Sequence, residues 1–121
     1  MNKQKQNPFL CAFQGISAAY RSERNLRIHT AVALAAVTLG FGLDLAGWEW
    51  CWIMLCIALV VVVELINTAI ETGIDLVSPN EHPLAKKAKD VAAGAVLVAV
   101  LFAVIVGGII FFPRLWILLV R

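Results

Sequence analysis

The amino-acid sequence predicts an all-α integral membrane protein, with three transmembrane helices preceded by an amphipathic surface helix, in a single domain over residues 1–121. Three observations carry that prediction. First, 61% of the residues are hydrophobic and 15% charged, against about 45–50% and about 25% in soluble domains, which leaves too little polar surface to cover a fold in water. Second, the apolar residues come in blocks. Uncharged runs cover Thr30 to Leu43, Trp50 to Val63 and Val91 to Phe112, and the last is long enough to cross a bilayer as a helix. Third, the positive charges are segregated. Lys3, Lys5, Arg21, Arg24 and Arg27 precede the first run and Lys86, Lys87 and Lys89 separate the second from the third, while the connection Asp44 to Glu49 has no Lys or Arg. The positive-inside rule then places the N-terminus and the second connection in the cytoplasm, and the first connection and the C-terminus outside.

Each element follows from local pattern. Residues 1–7 are polar and expected to be disordered. Residues 8–20 place Phe9, Phe13, Ile16 and Tyr20 at helical spacing, a short amphipathic helix suited to the inner membrane face. The block RSERNLRIH (21–29) leads into the first spanning helix, expected over about 28–45. Its apolar run and the next are short for spans, and become sufficient by borrowing flanking residues or where the bilayer thins. The second helix is expected over about 48–77, with Trp48, Trp50 and Trp52 at the outer interface. SPNEHP (78–83) is a turn, because its two prolines cannot continue a helix interior, and Pro83 suits the first turn of the third helix, expected over 83–112. Pro113 should stop or kink that helix. No cleavable signal peptide is visible, since the first long apolar run begins near residue 30. Cys11, Cys51 and Cys56 lack the spacing of a disulfide framework or zinc site and read as small apolar fillers.

The chemistry concentrates on the second spanning helix. At about 100° per residue, Glu64, Asn67, Glu71 and Asp75 fall within roughly 80° of arc and share one face. Three carboxylates there repel one another and resist burial, so positive groups or protons must offset them. Asp75 is equally well explained as a charge projecting into water. Glu64 is not, because fourteen uncharged residues precede it, and an ionisable group at that depth costs roughly 2.5–3.5 kcal/mol even on lenient insertion scales. Glu71 lies about 10 Å further toward the cytosol. Glu64 is thus placed for a lipid headgroup hydroxyl and Glu71 for a water-soluble cosubstrate.

Other groups converge from the cytoplasmic side. Glu23 with Glu71 makes a carboxylate pair suited to Mg²⁺, Lys89 can neutralise phosphate charge, and Asp90 can accept from a sugar or base. Read alone, Glu23 and Lys89 are equally well solvated charges. No phosphate-cradling glycine loop is present, because Gly40 and Gly42 are followed by Leu45, and Gly47 by Trp48.

The combination of RSERNLRIH with ELINTAIETGIDLVSPNEHPLAKKAKDVAAGAVL resembles the prokaryotic diacylglycerol kinase family over roughly residues 9–110. Its motifs are specific: E-x-x-N-x-x-x-E in a membrane helix, then an H-P turn and A-K-D. The sequence is most similar to the Gram-positive branch, whose members act on undecaprenol. The resemblance implies a homotrimer in the bacterial inner membrane, with active sites shared between neighbouring chains. It implies an ATP-dependent, Mg²⁺-dependent kinase that phosphorylates a membrane lipid, undecaprenol in preference to diacylglycerol. Glu64 then acts as base on the lipid hydroxyl, supported by Asn67. Glu23 and Glu71 match the metal ligands and contact the nucleotide, as do Asn80, Glu81, His82, Lys89 and Asp90. Two positions depart from relatives: Cys11 stands where a tyrosine is frequent, and His29 where the enterobacterial branch has a carboxylate. No nucleic-acid partner is expected. The rival readings are a small proton-coupled transporter or channel subunit, against which the off-centre Glu64 and the Glu23/Glu71 pair argue, and a non-catalytic membrane scaffold.

Overall fold

A computed structural model describes residues 7–121; residues 1–6, part of the expected disordered segment and including Lys3 and Lys5, lie outside the described residues. Four helices and no strands make up the described chain: α1 (Pro8–Ser22), α2 (Arg24–Gly42), α3 (Gly47–Val77) and α4 (Pro83–Val120).

Helix α1 starts on an Asn-Pro signal. Asn7 Oδ1 accepts a hydrogen bond from Phe9 N at 2.9 Å, and Pro8 supplies a preset first turn. Phe9, Leu10 and Phe13 remain exposed along one side. The helix ends at Glu23, whose extended backbone (φ −109°, ψ 106°) breaks the chain for one residue before α2 begins. The break is fastened on both sides. Arg27 Nη1 donates to the carbonyls of Tyr20 and Arg21 at 2.7 and 3.1 Å, occupying acceptors that the end of α1 leaves open. Tyr20 Oη and Thr30 Oγ1 lie 2.5 Å apart, and Leu26 is fully buried in the angle between the helices. The polar block 21–29 is therefore a joint, and α2 takes up its second half rather than beginning at residue 28.

The α2–α3 connection turns through Asp44, which adopts a positive φ of 55°, a conformation that Asp tolerates better than most residues. Close approach here depends on Gly40. A Cβ at that position would sit 2.7 Å from Trp50 Cη2 and 3.0 Å from Leu45 Cδ1. Leu45, Ile53 and Ile110 form the buried cluster at this end, with Leu43, Trp50, Ile57, Val106 and Phe111 packed around it.

Helix α4 continues beyond the expected end at Phe112. It passes through Pro113 and runs to Val120. Proline removes one helical hydrogen bond, but the following residue is anchored from outside the helix. Arg114 pairs with the buried Glu49 and donates to the carbonyl oxygens of Leu43 and Asp44 at 3.2 and 3.5 Å. Glu49 in turn accepts from Ala46 N at 3.0 Å. A single guanidinium thus ties α4 to the α2–α3 connection and to the first turn of α3.

Pairings at opposite ends of the helices fix the arrangement. Arg114 meets Glu49 at one end and Lys89 meets Asp75 at the other, so α3 and α4 run antiparallel and form the most extensive contact in the fold. Gly40 against Trp50 and His29 against Glu64 make α2 antiparallel to α3. Among the described residues two helices, α3 and α4, are long and apolar enough to cross a membrane. Helix α2 spends its first turns on the polar RNLRIH, leaving about 20 Å of apolar length from Thr30 to Gly42. Large apolar side chains such as Val98, Val104 and Ile109 stay exposed along α4, a surface that favours lipid or another apolar chain over water.

Candidate active site

Helix α3 carries its polar stripe from the interior to the surface. Glu64 is 1% exposed and Asn67 is 8% exposed, Glu71 is half-buried, and Asp75 is exposed. The four polar side chains of the stripe make three separate pairings. Glu64 Oε1 lies 3.3 Å from His29 Nε2, which reaches across from α2. Asn67 Nδ2 donates to Glu71 Oε1 at 3.4 Å, one turn along the same helix. Asp75 is ion-paired with Lys89, which comes from the second turn of α4. The two ends of the stripe are therefore served by different neighbouring helices.

The pairing leaves a defined surplus. Glu64 Oε2 and Asn67 Oδ1 are buried with no hydrogen-bond partner among the described residues, although buried polar atoms nearly always have one. Glu23 and Glu71 are both close enough to act on Glu64 electrostatically, and both oppose its charge. Glu71 also acts on Lys89. Glu23, Glu64, Glu71, His29 and Lys89 thus form one electrostatic group in which carboxylates outnumber cations. The break between α1 and α2 sets Glu23 in place, and although this residue stands at the N-cap of α2, its side chain makes no capping hydrogen bond.

Lys89 and Asp90 do not act as a side-chain pair within the chain. Adjacent helical residues point about 100° apart, and Lys86 Nζ holds Asp90 at 2.5 Å while Lys89 turns to Asp75. In the turn, Asn80, Glu81 and His82 are exposed. His82 Nδ1 accepts from Leu84 N at 3.1 Å and caps α4, so this ring is oriented by the helix it starts. Ser78 Oγ donates to the Asn80 carbonyl at 2.9 Å, closing the turn.

Among the described residues no three carboxylate, imidazole or thiol groups converge into a metal cage. That does not disfavour Mg²⁺, which dehydrates reluctantly and is commonly held by one or two carboxylates together with substrate phosphates. The donors here fit: hard oxygens on Glu23 and Glu71, in a neighbourhood with excess negative charge and unpartnered buried oxygens.

An apolar groove of about 260 Å³ runs between α2, α3 and α4. His29 stands among its lining residues, with Val32, Val61, Val100, Val104 and Phe111 among the others. The imidazole that contacts Glu64 therefore also borders an apolar channel. Periodicity and spacing assign no role to His29. A signal for it did exist: α2 and α3 are joined by a short connection, and counting along each helix from that connection puts His29 and Glu64 within about one turn of the same depth.

The chain matches the sequence profile of the family described as prokaryotic diacylglycerol kinase over residues 10–111. An undecaprenol kinase of Bacillus subtilis is 46% identical to it over 107 residues, 88% of this chain and 87% of that protein. A diacylglycerol kinase of Synechocystis is 45% identical over 113 residues, covering 93% of this chain and 65% of the relative. A diacylglycerol kinase of Escherichia coli K12 is 33% identical over 94 residues, 78% of this chain and 77% of the relative.

Proposed function

The chain belongs to the prokaryotic diacylglycerol kinase family, a lipid phosphotransferase with an alcohol group as acceptor, and from that premise we propose that it transfers the γ-phosphoryl group of Mg·ATP to undecaprenol, giving undecaprenyl phosphate. The observation that carries the reading is Glu64: a buried carboxylate with one oxygen held by His29, the other unpartnered, and an apolar groove beginning at its partner. An isoprenoid or acyl chain fits such a groove, and its hydroxyl would lie at the polar end. The relative named undecaprenol kinase, similar over nearly the whole of both chains, favours undecaprenol. Diacylglycerol, named for other relatives, is the alternative.

Phosphoryl transfer depends on positioning and charge neutralisation more than on covalent catalysis. Glu64 Oε2 takes the proton of the lipid hydroxyl as its oxygen forms a bond to the γ-phosphorus. The bond from that phosphorus to the β,γ-bridging oxygen breaks, and ADP leaves with the electron pair. Glu23 and Glu71 would hold Mg²⁺, which would supply neutralisation of phosphate charge. Lys89 adds a further cation, exchanging Asp75 for phosphate. Asn67 keeps Glu71 in place from the helical turn below it. Asn80, Glu81, His82 and Asp90 contribute contacts to the nucleotide from the turn and the start of α4.

In this reading α2 is the third span, made sufficient by the Leu43–Ala46 connection or by a thinned bilayer. The lysine-rich α3–α4 end, with the site, faces the cytoplasm, the C-terminus lies outside, and the protein resides in the bacterial inner membrane. The exposed apolar faces pack in a homotrimer whose neighbouring subunits complete one another's sites. The test is purified protein in mixed micelles with Mg·ATP, offered undecaprenol and diacylglycerol separately. Undecaprenyl phosphate should form faster than phosphatidic acid. Phosphorylation of diacylglycerol alone would reassign the acceptor, and no phosphorylated product from either lipid would overturn the proposal.

A further inference from the structure

We propose that His29 is the positioning residue for the transfer step: its imidazole holds one oxygen of Glu64 and so directs the other at the acceptor hydroxyl. The inference rests on the kinase reading above and adds to it a residue outside the acidic stripe.

The argument begins with what a buried carboxylate needs. Glu64 is 1% exposed, on a helix with apolar neighbours, and a carboxylate without fixed partners can rotate and place either oxygen on the nearest donor. Among the described residues one donor reaches it. His29 Nε2 stands 3.3 Å from Oε1, while Oε2 has no partner. A hydrogen bond in this direction requires the proton on Nε2, because a carboxylate only accepts. The nearest like charges, Glu23 and Glu71, repel Glu64 and cannot hold it. Thr68 Oγ1 is spent on the Glu64 carbonyl at 3.0 Å. The orientation of the carboxylate therefore depends on a single contact from another helix.

His29 sits on a fastened stretch of α2. It lies on α2 one turn after Asn25 and next to Thr30, whose hydroxyl bonds the Leu26 carbonyl at 2.9 Å and meets Tyr20. Its side chain is 23% exposed, and its exposed part borders the apolar groove. The ring thus touches the carboxylate on one side and borders the acceptor's channel on the other. A merely space-filling or charge-balancing residue would not have to combine both contacts. A misplaced base costs turnover rather than nucleotide affinity, by about a hundredfold for a displacement near 1 Å.

The experiment compares His29→Ala, His29→Gln and His29→Phe with wild type in the mixed-micelle assay, with thermal midpoints in detergent as the folding control. His29→Ala should lower kcat by about tenfold to a hundredfold and leave the KM for Mg·ATP within about twofold. His29→Gln keeps an N–H donor and should recover most of the lost kcat. His29→Phe keeps a ring in the groove but has no donor, and should be as poor as Ala. If Ala fails to fold, the Gln and Phe pair decides: Gln active with Phe impaired supports the assignment, and equal rates overturn it. An unchanged kcat in His29→Ala overturns it alone, whereas a wild-type chain that phosphorylates neither lipid overturns the kinase reading and this inference together.

Discussion

Glu64 and Asp75 lie on the same helical face, yet their surroundings give them opposite fates. Glu64 is enclosed, with one oxygen toward His29 and the other unpartnered, whereas Asp75 is exposed and neutralised by Lys89. Burial of a carboxylate is strongly unfavourable unless something compensates, so Glu64 is the position where function explains the residue best. In this account Glu71 serves the nucleotide. Glu71→Gln should therefore raise the KM for Mg·ATP by about tenfold or more, since charge-assisted contacts are worth roughly 1.5–3 kcal/mol, measured by initial rates at saturating lipid. Lys89→Met should raise the same constant while leaving the folded protein's thermal midpoint nearly unchanged, because water screens the exposed pair with Asp75. At this scale the sequence made the acidic face legible, since periodicity alone groups Glu64, Asn67, Glu71 and Asp75. It did not reveal His29 or the Asp75–Lys89 pair. Those contacts join separate helices, and the inward face of a neighbouring helix is set by packing that no local pattern encodes.

The helices are tied at their ends by a few polar contacts, which gives the elements distinct vulnerabilities. Gly40 admits the indole of Trp50, and a side chain there meets the ring at 2.7 Å. Gly40→Val should therefore destabilise the fold by about 1–3 kcal/mol, the usual cost of overpacking, read as a lower midpoint in thermal or denaturant unfolding in detergent. Arg114→Met should also lower that midpoint, because it leaves the buried Glu49 without its cation and two connection carbonyls without the Arg114 donor. Neither change touches the stripe, so turnover per folded molecule should stay near wild type. The long helices were readable from uncharged runs and from Pro79 and Pro83 as punctuation. The course of α4 past Pro113 was not, because its continuation depends on Arg114 finding partners in a connection distant in sequence. The joint at Glu23 was hidden for a similar reason: nothing in RSERNLRIH marks one residue as extended until Arg27 and Tyr20 are seen to clasp it.

For the whole molecule, two long apolar helices and two shorter ones leave much apolar surface outside, which favours lipid or another apolar chain over water. If neighbouring chains complete each site, chains dissociated to monomers in a harsher detergent should lose turnover and regain it on reassembly, and full activity of an isolated chain would contradict the shared-site arrangement. Depth along α3 is proposed to divide the work, with Glu64 acting on the lipid and Glu71 on the nucleotide. The most direct measurement is nucleotide affinity and phosphoryl transfer determined side by side on purified Glu64→Gln. The account predicts Mg·ATP binding within about twofold of wild type and a transfer rate reduced by about a hundredfold or more. Transfer at the wild-type rate in a folded Glu64→Gln protein would contradict it.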